Sequence, residues 1–195
     1  MRLRLLPLVL LLLAPTRASA EWQIKPFVGA TVAGSSTFYA DFDGSPERHL
    51  AVGVSGVRLG EIFGVEADVA HAPRFFQSDG PFSQLVLGSS TTTVTGNVVV
   101  ALPRHWTEYT LRPYFVGGGG LMHARIDDSR SLLAVSRNMA AWDMGVGVTG
   151  FLTDRFGVSW DVRHFRSVGG KEEGLSLGPE ACSFWRVNMA LAIRY

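Results

Sequence analysis

The chain has 195 residues, which suggests one domain, and its 18 Lys and Arg side chains nearly balance its 17 Asp and Glu side chains. This balance gives no argument for a nucleic-acid partner or for binding through a polybasic surface. Cys182 is the single cysteine of the sequence, which excludes an intrachain disulfide.

Residues 1–20 have the pattern of a secretory signal peptide. Arg2 and Arg4 give a positive start, Leu5–Leu13 is an apolar run, and Ala18-Ser19-Ala20 is a small-x-small cleavage pattern. The run is shorter than the roughly 20 apolar residues that a spanning helix needs. We therefore expect a cleaved signal peptide of residues 1–20 and a mature domain of residues 21–195. Its net charge is about −2, because three arginines leave with the signal peptide.

Eight later runs alternate between large apolar residues and small or polar residues, which is the period of a β-strand. In chain order they are Trp22–Val32, His49–Leu59, Phe63–Ala72, Ser90–Leu102, Tyr109–Arg125, Met139–Phe151, Arg155–Phe165 and Ser183–Tyr195. The alternation is clear in the third, sixth, seventh and eighth runs. In the eighth, large apolar residues occupy every second position from Trp185 to Tyr195. The second and fifth runs are less regular, and their faces stay unassigned.

The connections between these runs alternate between long and short. The long ones are Ala33–Arg48, Pro73–Ser89, Ile126–Asn138 and Arg166–Cys182, and the short ones are Gly60–Ile62, Pro103–Glu108 and Leu152–Asp154. An up-and-down barrel with both termini in the periplasm predicts this order, with long loops outside the cell and tight turns inside. The pattern predicts an all-β, eight-stranded antiparallel up-and-down transmembrane β-barrel.

A barrel in lipid turns its apolar faces outward and its small and polar faces into the lumen. On this assignment, four acids and three arginines face each other across the lumen: Glu66, Asp68, Asp143, Asp161, Arg163, Arg186 and Arg194. The interior of eight strands is just wide enough for side chains to fill, so we expect a network of ion pairs that fills the lumen. The alternative is a narrow, gated ion path through the same charges.

The positions of the large aromatic residues agree with a barrel in a membrane. Residues near strand ends or on outward faces are predicted to form interfacial belts: Trp22, Trp106, Trp142, Trp160, Trp185 and Tyr195. General enrichment of aromatic residues in sheets would give a similar distribution.

Three segments carry a resemblance to a known family. The final strand, Trp185–Tyr195, is similar to the terminal signature that the barrel assembly machinery reads, with Tyr in place of the usual Phe. Arg112–Gly120 resembles a Pro-Tyr-x-x-x-Gly-x-Gly strand, and Gly145–Ser167 is similar to a poorly characterised branch. Over residues 21–195 the chain thus resembles the small OmpA-like and OmpX-like outer-membrane β-barrels. The resemblance implies location in the bacterial outer membrane, outer-membrane lipid and the assembly machinery as partners, and no particular activity.

Two rival hypotheses remain open. A soluble lipocalin-like barrel in the periplasm would also have eight alternating strands, but it would point its apolar residues inward, towards an apolar ligand. A lipid A-modifying hydrolase would need a serine, a histidine and a carboxylate, for which His164, Ser167 and Glu172 or Glu173 are the candidates. His164 and Ser167 are three residues apart, which places them on opposite faces of a regular strand.

The sequence favours a structural or surface-interaction role for four extracellular loops on a barrel with a filled lumen. The five histidines have no metal-site spacing, and Gly117–Gly120 is followed by no Lys-Ser/Thr and is not a phosphate loop. We therefore expect no enzyme activity, no cofactor and no metal. No catalytic or binding residue is assigned, and the extracellular partner is unknown.

Overall fold

The computed structural model describes residues 20–36, 48–75, 86–103, 106–107, 111–128, 135–168 and 182–195. The predicted signal peptide, apart from Ala20, lies outside these ranges, and so do Glu172 and Glu173. No helix in the described part of the chain is long and apolar enough to cross a membrane.

Eight antiparallel strands pair in sequence order, and the first strand pairs with the last to close a barrel. The strands are β1 (Glu21–Ser36), β2 (His49–Leu59), β3 (Phe63–Pro73), β4 (Val86–Ala101), β5 (Leu111–Asp128), β6 (Val135–Phe151), β7 (Phe156–Ser167) and β8 (Cys182–Arg194). This confirms the predicted fold class. Closure pairs the backbone groups of both edge strands, which lipid could not satisfy.

The strands are tilted, because the hydrogen-bonded register does not return to its starting residue. Followed around the barrel from Trp22, it passes through every strand and returns to β1 at Val32, a stagger of ten residues. A stagger of this kind requires strands inclined by about 35–45° to the barrel axis. An outward run such as Trp185–Tyr195 therefore rises about 25 Å along the axis, the usual height of the apolar band of such barrels.

Side chains alternate strictly between the two faces of the barrel wall. In β8, Phe184 and Arg186 are buried in the lumen, whereas Trp185 and Val187 are exposed on the outside. The predicted faces of the third, sixth, seventh and eighth strands are confirmed. The structure also assigns the inner and outer faces of the second and fifth strands, in which Ser55 and Tyr114 point inward.

The two ends of the barrel differ. We call the end that holds Glu21, Tyr195 and the connections β2–β3, β4–β5 and β6–β7 the turn end, and the opposite end the loop end. Several strands continue past their predicted limits towards the loop end, by four residues in β1, β4 and β6. The β5–β6 connection shrinks to residues 129–134, while the β4–β5 connection occupies residues 102–110. The connections at the two ends therefore differ less in length than the sequence predicted. The reason is that β5 and β6 stay paired beyond the residues that alternate between apolar and polar.

Candidate functional site

The lumen is packed in three layers along the barrel axis. Near the turn end lies an apolar cluster of Val57, Leu59, Val99, Ala101, Tyr114 and Val116. Near the loop end lies a second apolar cluster of Ala51, Ala72, Phe75, Met122, Ala124, Met139, Ala141, Phe165, Cys182 and Phe184. The layer between them holds paired charges, so the lumen is filled from this layer to the loop end. These charged residues are Glu66, Asp68, Asp143, Asp161, Arg163 and Arg186.

Arg163 is the centre of the charged layer. Its guanidinium forms a bidentate pair with Glu66 through both Nη atoms, with Nη2 and Oε2 3.1 Å apart, and its Nε donates to Asp161 at 2.9 Å. Asp68 and Asp143 each place a carboxylate oxygen 3.9 Å from Nη1. Bidentate pairing is the geometry in which arginine binds carboxylates most strongly. Arg163 thereby joins acids from β3, β6 and β7.

Arg186 forms the second node, nearer the loop end. Its Nη2 donates to Asp68 Oδ1 at 2.8 Å, and its guanidinium carbon lies 4.8 and 4.6 Å from the ring centroids of Phe27 and Phe165. Ser55 donates to the other oxygen of Asp68 at 2.9 Å. The cation is thus paired on one side and stacked between aromatic rings on the others. This sandwich joins the charged layer to the loop-end apolar cluster.

The signs of the lumen charges balance. Among the described side chains from the turn-end rim to Met139, the inward-facing acids are Glu21, Glu66, Asp68, Asp143 and Asp161, and the inward-facing bases are Lys25, Arg112, Arg163, Arg186 and Arg194. Arg137 lies on the same face of β6, two residues beyond Met139 towards the loop end. All seven predicted lumen charges are on the inner face, as expected, although Arg194 lies at the turn-end rim, where it pairs with Glu21 at 3.5 Å. Balanced, paired charges are the condition under which a low-dielectric interior tolerates ions.

Lys25 and Arg112 are two lumen charges that the sequence analysis missed. Lys25 donates to Thr149 Oγ1 at 3.1 Å and lies 4.8 Å over the Tyr114 ring, whose hydroxyl donates to Asp161 at 3.3 Å. Arg112 donates to the backbone carbonyls of Gly60, Glu61 and Leu102. The signal for Lys25 was present, because Glu21, Gln23 and Lys25 occupy alternate positions of β1. Nothing local in the sequence links Arg112 to the two neighbouring turns.

Phe75 closes the loop end of the lumen. Its side chain is 1% exposed and packs edge-on against Phe184, with ring centroids 4.9 Å apart. The chain reaches this position through Arg74, which has a positive φ of 59° and whose backbone N–H donates to Ser89 O at 2.6 Å. A non-glycine residue in the left-handed region needs support from its surroundings, and here burial of the next ring supplies it.

The turn end is more open. A cavity of about 510 Å³ there is lined by Glu21, Thr107, Arg112, Phe151, Leu152, Thr153, Asp154 and Arg194. Above it, the space beside Lys25, Glu66 and Tyr114 shrinks to about 10 Å³. That is at the lower limit for one water molecule, so the cavity ends below the charged layer.

The outer surface has the opposite character from the lumen. Large apolar side chains are exposed on every strand, among them Leu50, Val65, Val98, Phe115, Met144 and Leu191. The predicted outward aromatics Trp22, Trp160 and Trp185 are exposed, Trp142 is partly exposed on the same surface, and Trp106 and Tyr195 are exposed at the turn end. Trp160 pairs with Met189 near the middle of the wall, so it belongs to neither end. Because the charges point inward and the apolar residues outward, the soluble lipocalin-like hypothesis is wrong.

The candidate hydrolase residues do not converge. His164 points outward, between the rings of Trp142 and Trp185, with centroids 5.7 and 4.9 Å from its own. Ser167 points into the lumen, where its Oγ accepts a hydrogen bond from the backbone N–H of Cys182 at 2.8 Å. The barrel wall separates the two side chains. In the described residues, no three His, Cys, Asp or Glu side chains are grouped so that they could hold a metal ion.

A closed sheet with paired charges inside and an apolar exterior is a transmembrane β-barrel. The chain belongs to the family described as "Outer membrane protein beta-barrel domain", whose profile matches residues 6–178. Its place is the bacterial outer membrane. A search of curated proteins finds no match.

Solved structures show the same fold. Neisserial surface protein A superposes with a TM-score of 0.65 at 11% identity, over 90% of this chain and 97% of that one. OprG from Pseudomonas aeruginosa superposes with a TM-score of 0.56 at 11% identity, over 91% of this chain and 97% of that one. Ail of Yersinia pestis, in complex with the heparin analogue sucrose octasulfate, gives 0.53 at 13%, over 89% and 99%. Identities this low support the fold alone.

Proposed function

We propose that this barrel is a non-conducting scaffold with a structural or surface-interaction role, carried by its four loop-end connections outside the cell. The observation that carries the proposal is the filled lumen: Arg163 and Arg186 are each 1% exposed and ion-paired, and Phe75 covers them from the loop end. A barrel that cannot pass solutes acts through the residues that it exposes outside the membrane.

The charge of the connections narrows the kind of partner. In residues 37–48 three acids outnumber one arginine, and in residues 168–181 three acids outnumber one lysine. Sucrose octasulfate, which binds Ail, is a polyanion. The first and fourth connections of this chain would repel such a ligand. A partner with a basic or apolar surface fits them better.

Conductance in planar bilayers tests the closed lumen. We expect the refolded protein to give no discrete current steps, while a porin inserted in the same bilayer gives them. Reproducible steps that depend on this protein would contradict the proposal and favour the narrow ion path.

Surface labelling tests which end faces outward. An epitope inserted after Asp43, in the first long connection, should be accessible to antibody on intact cells. The matched insertion after Thr153, in the β6–β7 turn, should be accessible only after the outer membrane is permeabilised. The reverse result would invert the proposed orientation.

We also infer that residues 1–20 are a cleaved signal peptide and that the barrel assembly machinery inserts the mature domain. The apolar run Leu5–Leu13 and the Ala18-Ser19-Ala20 pattern support cleavage, and the alternation in Trp185–Tyr195 supports recognition. N-terminal sequencing of the membrane-extracted protein should begin at Glu21. A start at Met1 would exclude cleavage.

A further inference from the structure

The outward-facing strand side chains that the structure describes carry charge of one sign. They include Arg58, Arg125 and Arg166, whereas every Asp or Glu among the described strand side chains points into the lumen. Arg125 and Arg166 lie at the loop end. The lumen is balanced, so this one-sided charge belongs to the surface that meets lipid.

Arg166 is placed differently from Arg58 and Arg125. It lies on β7 in register with Trp142 on β6 and Ser183 on β8. It is exposed, and it forms no hydrogen bond or ion pair with any residue that the structure describes. Arg58, by comparison, stacks over Trp22 at 5.6 Å near the turn end.

An aromatic row lies directly below Arg166 on the outer surface. His164, two residues earlier on β7, is flanked by Trp142 and Trp185 at 5.7 and 4.9 Å between ring centroids. Below this row the wall is apolar and exposed, with Met144, Val162 and Val187. Tryptophan rings of this kind mark the level of lipid headgroups. Arg166 is therefore at headgroup level, with acyl-chain surface beneath it.

We propose that Arg166, with Trp142, His164 and Trp185, binds the phosphate of a lipid A-type headgroup in the outer leaflet. Guanidinium groups bind phosphate bidentately through charge-assisted hydrogen bonds. The two indole rings pack against the sugar and upper chains, and Met144, Val162 and Val187 hold the acyl chains.

The assignment to the outer leaflet rests on the orientation proposed above, whereas phosphate binding by Arg166 does not. The two fail separately: epitope labelling tests the orientation, and binding in detergent micelles tests the site.

The test compares the folded wild-type protein with Arg166→Gln and with the control Arg58→Gln, by native mass spectrometry in micelles. The probes are bis-phosphorylated lipid A, the same lipid without phosphates, phosphatidylglycerol and inorganic phosphate. We expect Arg166→Gln to weaken lipid A binding about ten-fold, the effect of losing a charge-assisted hydrogen bond. Arg58→Gln should bind like the wild type, and the dephosphorylated lipid should bind all three proteins equally weakly.

Equal lipid A binding by the wild type and Arg166→Gln would overturn the proposal, and so would an equal loss in Arg58→Gln. Phosphatidylglycerol bound as tightly as lipid A would overturn the choice of lipid. Competition by inorganic phosphate alone would show a bare anion site without a lipid. Because Trp142 and Trp185 flank the site, Trp185→Leu should weaken lipid A binding while leaving the response to inorganic phosphate unchanged.

Discussion

Arg163 pairs with several buried acids rather than with one. Arg163 lies within 4 Å of carboxylate oxygens of Glu66, Asp68, Asp143 and Asp161. Asn97 and Asn188 donate to two of these acids, at 3.0 and 2.9 Å. Asp143 accepts no hydrogen bond from any described residue, so Arg163 is its nearest compensation. Removing one arginine would leave several acids uncompensated.

Arg163→Met should lower the free energy of unfolding by about 3–5 kcal/mol, the cost of leaving buried charges without their partner. Urea unfolding of the refolded barrel, followed by tryptophan fluorescence, measures it. The control is Arg58→Met, which removes an outward arginine of the same size and should change stability by about 0.5 kcal/mol or less. Similar losses in the two variants would show that the lumen network contributes little.

Ser167→Ala separates a structural serine from a catalytic one. The substitution removes the acceptor of the Cys182 backbone N–H, and an unsatisfied buried donor costs about 1–3 kcal/mol. We expect that loss in urea unfolding and an unchanged lipid A mass spectrum from cells that express the variant. Altered lipid A in wild-type cells that reverts in the variant would revive the hydrolase hypothesis.

Single residues show where sequence reasoning was sufficient. Asp143 and Asp161 were placed in the lumen because they alternate with large apolar neighbours in β6 and β7, and the structure confirms this. Asp161 pairs with Arg163 two residues further along the same face of β7. The pairing of Glu66 with Arg163 from across the barrel depends on the ten-residue stagger. Alternation specifies the face of a side chain, and it leaves the partner unspecified.

At the level of the strand, Gly117–Gly120 combines two different pairs of glycines. Gly118 and Gly120 face inward, where an added Cβ would lie 2.2 Å from Gly96 O and 2.0 Å from Val94 O. Gly117 and Gly119 face outward. A Cβ at Gly117 would make an ordinary contact at 3.6 Å, and one at Gly119 would lie 3.2 Å from Ala141 O. The run therefore allows close packing of β5 against β4.

Gly118→Ala should destabilise the barrel by about 1–3 kcal/mol, because the new methyl group meets backbone that cannot move aside. Its control is the paired-strand substitution Gly96→Ala. An added Cβ at Gly96 has no atom within 4 Å, and stability should stay equal or rise by up to about 1 kcal/mol. Urea midpoints measure both. Equal destabilisation of the two variants would contradict the close approach of β4 and β5.

Strand ends were predicted unevenly for a physical reason. The predicted first and last residues of β2 agree with the structure, whereas β1, β4 and β6 extend further towards the loop end than predicted. Lipid imposes apolar alternation only across its own thickness. Beyond it, Ser35 and Ser36 pair with β8 without any apolar signal. The strands stay hydrogen-bonded beyond the lipid, but their residues there no longer alternate between apolar and polar, so the sequence pattern does not indicate them.

At the level of the whole molecule, closure makes the barrel resistant to detergent at low temperature. We expect unboiled protein from the outer-membrane fraction to migrate differently from boiled protein on an SDS gel, because intact pairing between β1 and β8 leaves no free edge. The unboiled Arg163→Met variant should also show the mobility shift, but on heating it should lose the shift at a lower temperature than the wild type. Identical mobility with and without boiling would contradict a closed barrel.

The sequence by itself determined the class of the molecule, since alternation, strand count and the order of connections depend only on local residue types and on the two solvents that the wall separates. Closure, the stagger, the Phe75 plug and the contacts of Lys25 and Arg112 were decided by the tertiary structure. So was the position of His164 beside two tryptophans from neighbouring strands. Each of these depends on which residues the register places side by side, and register is a property of paired strands that no single strand encodes.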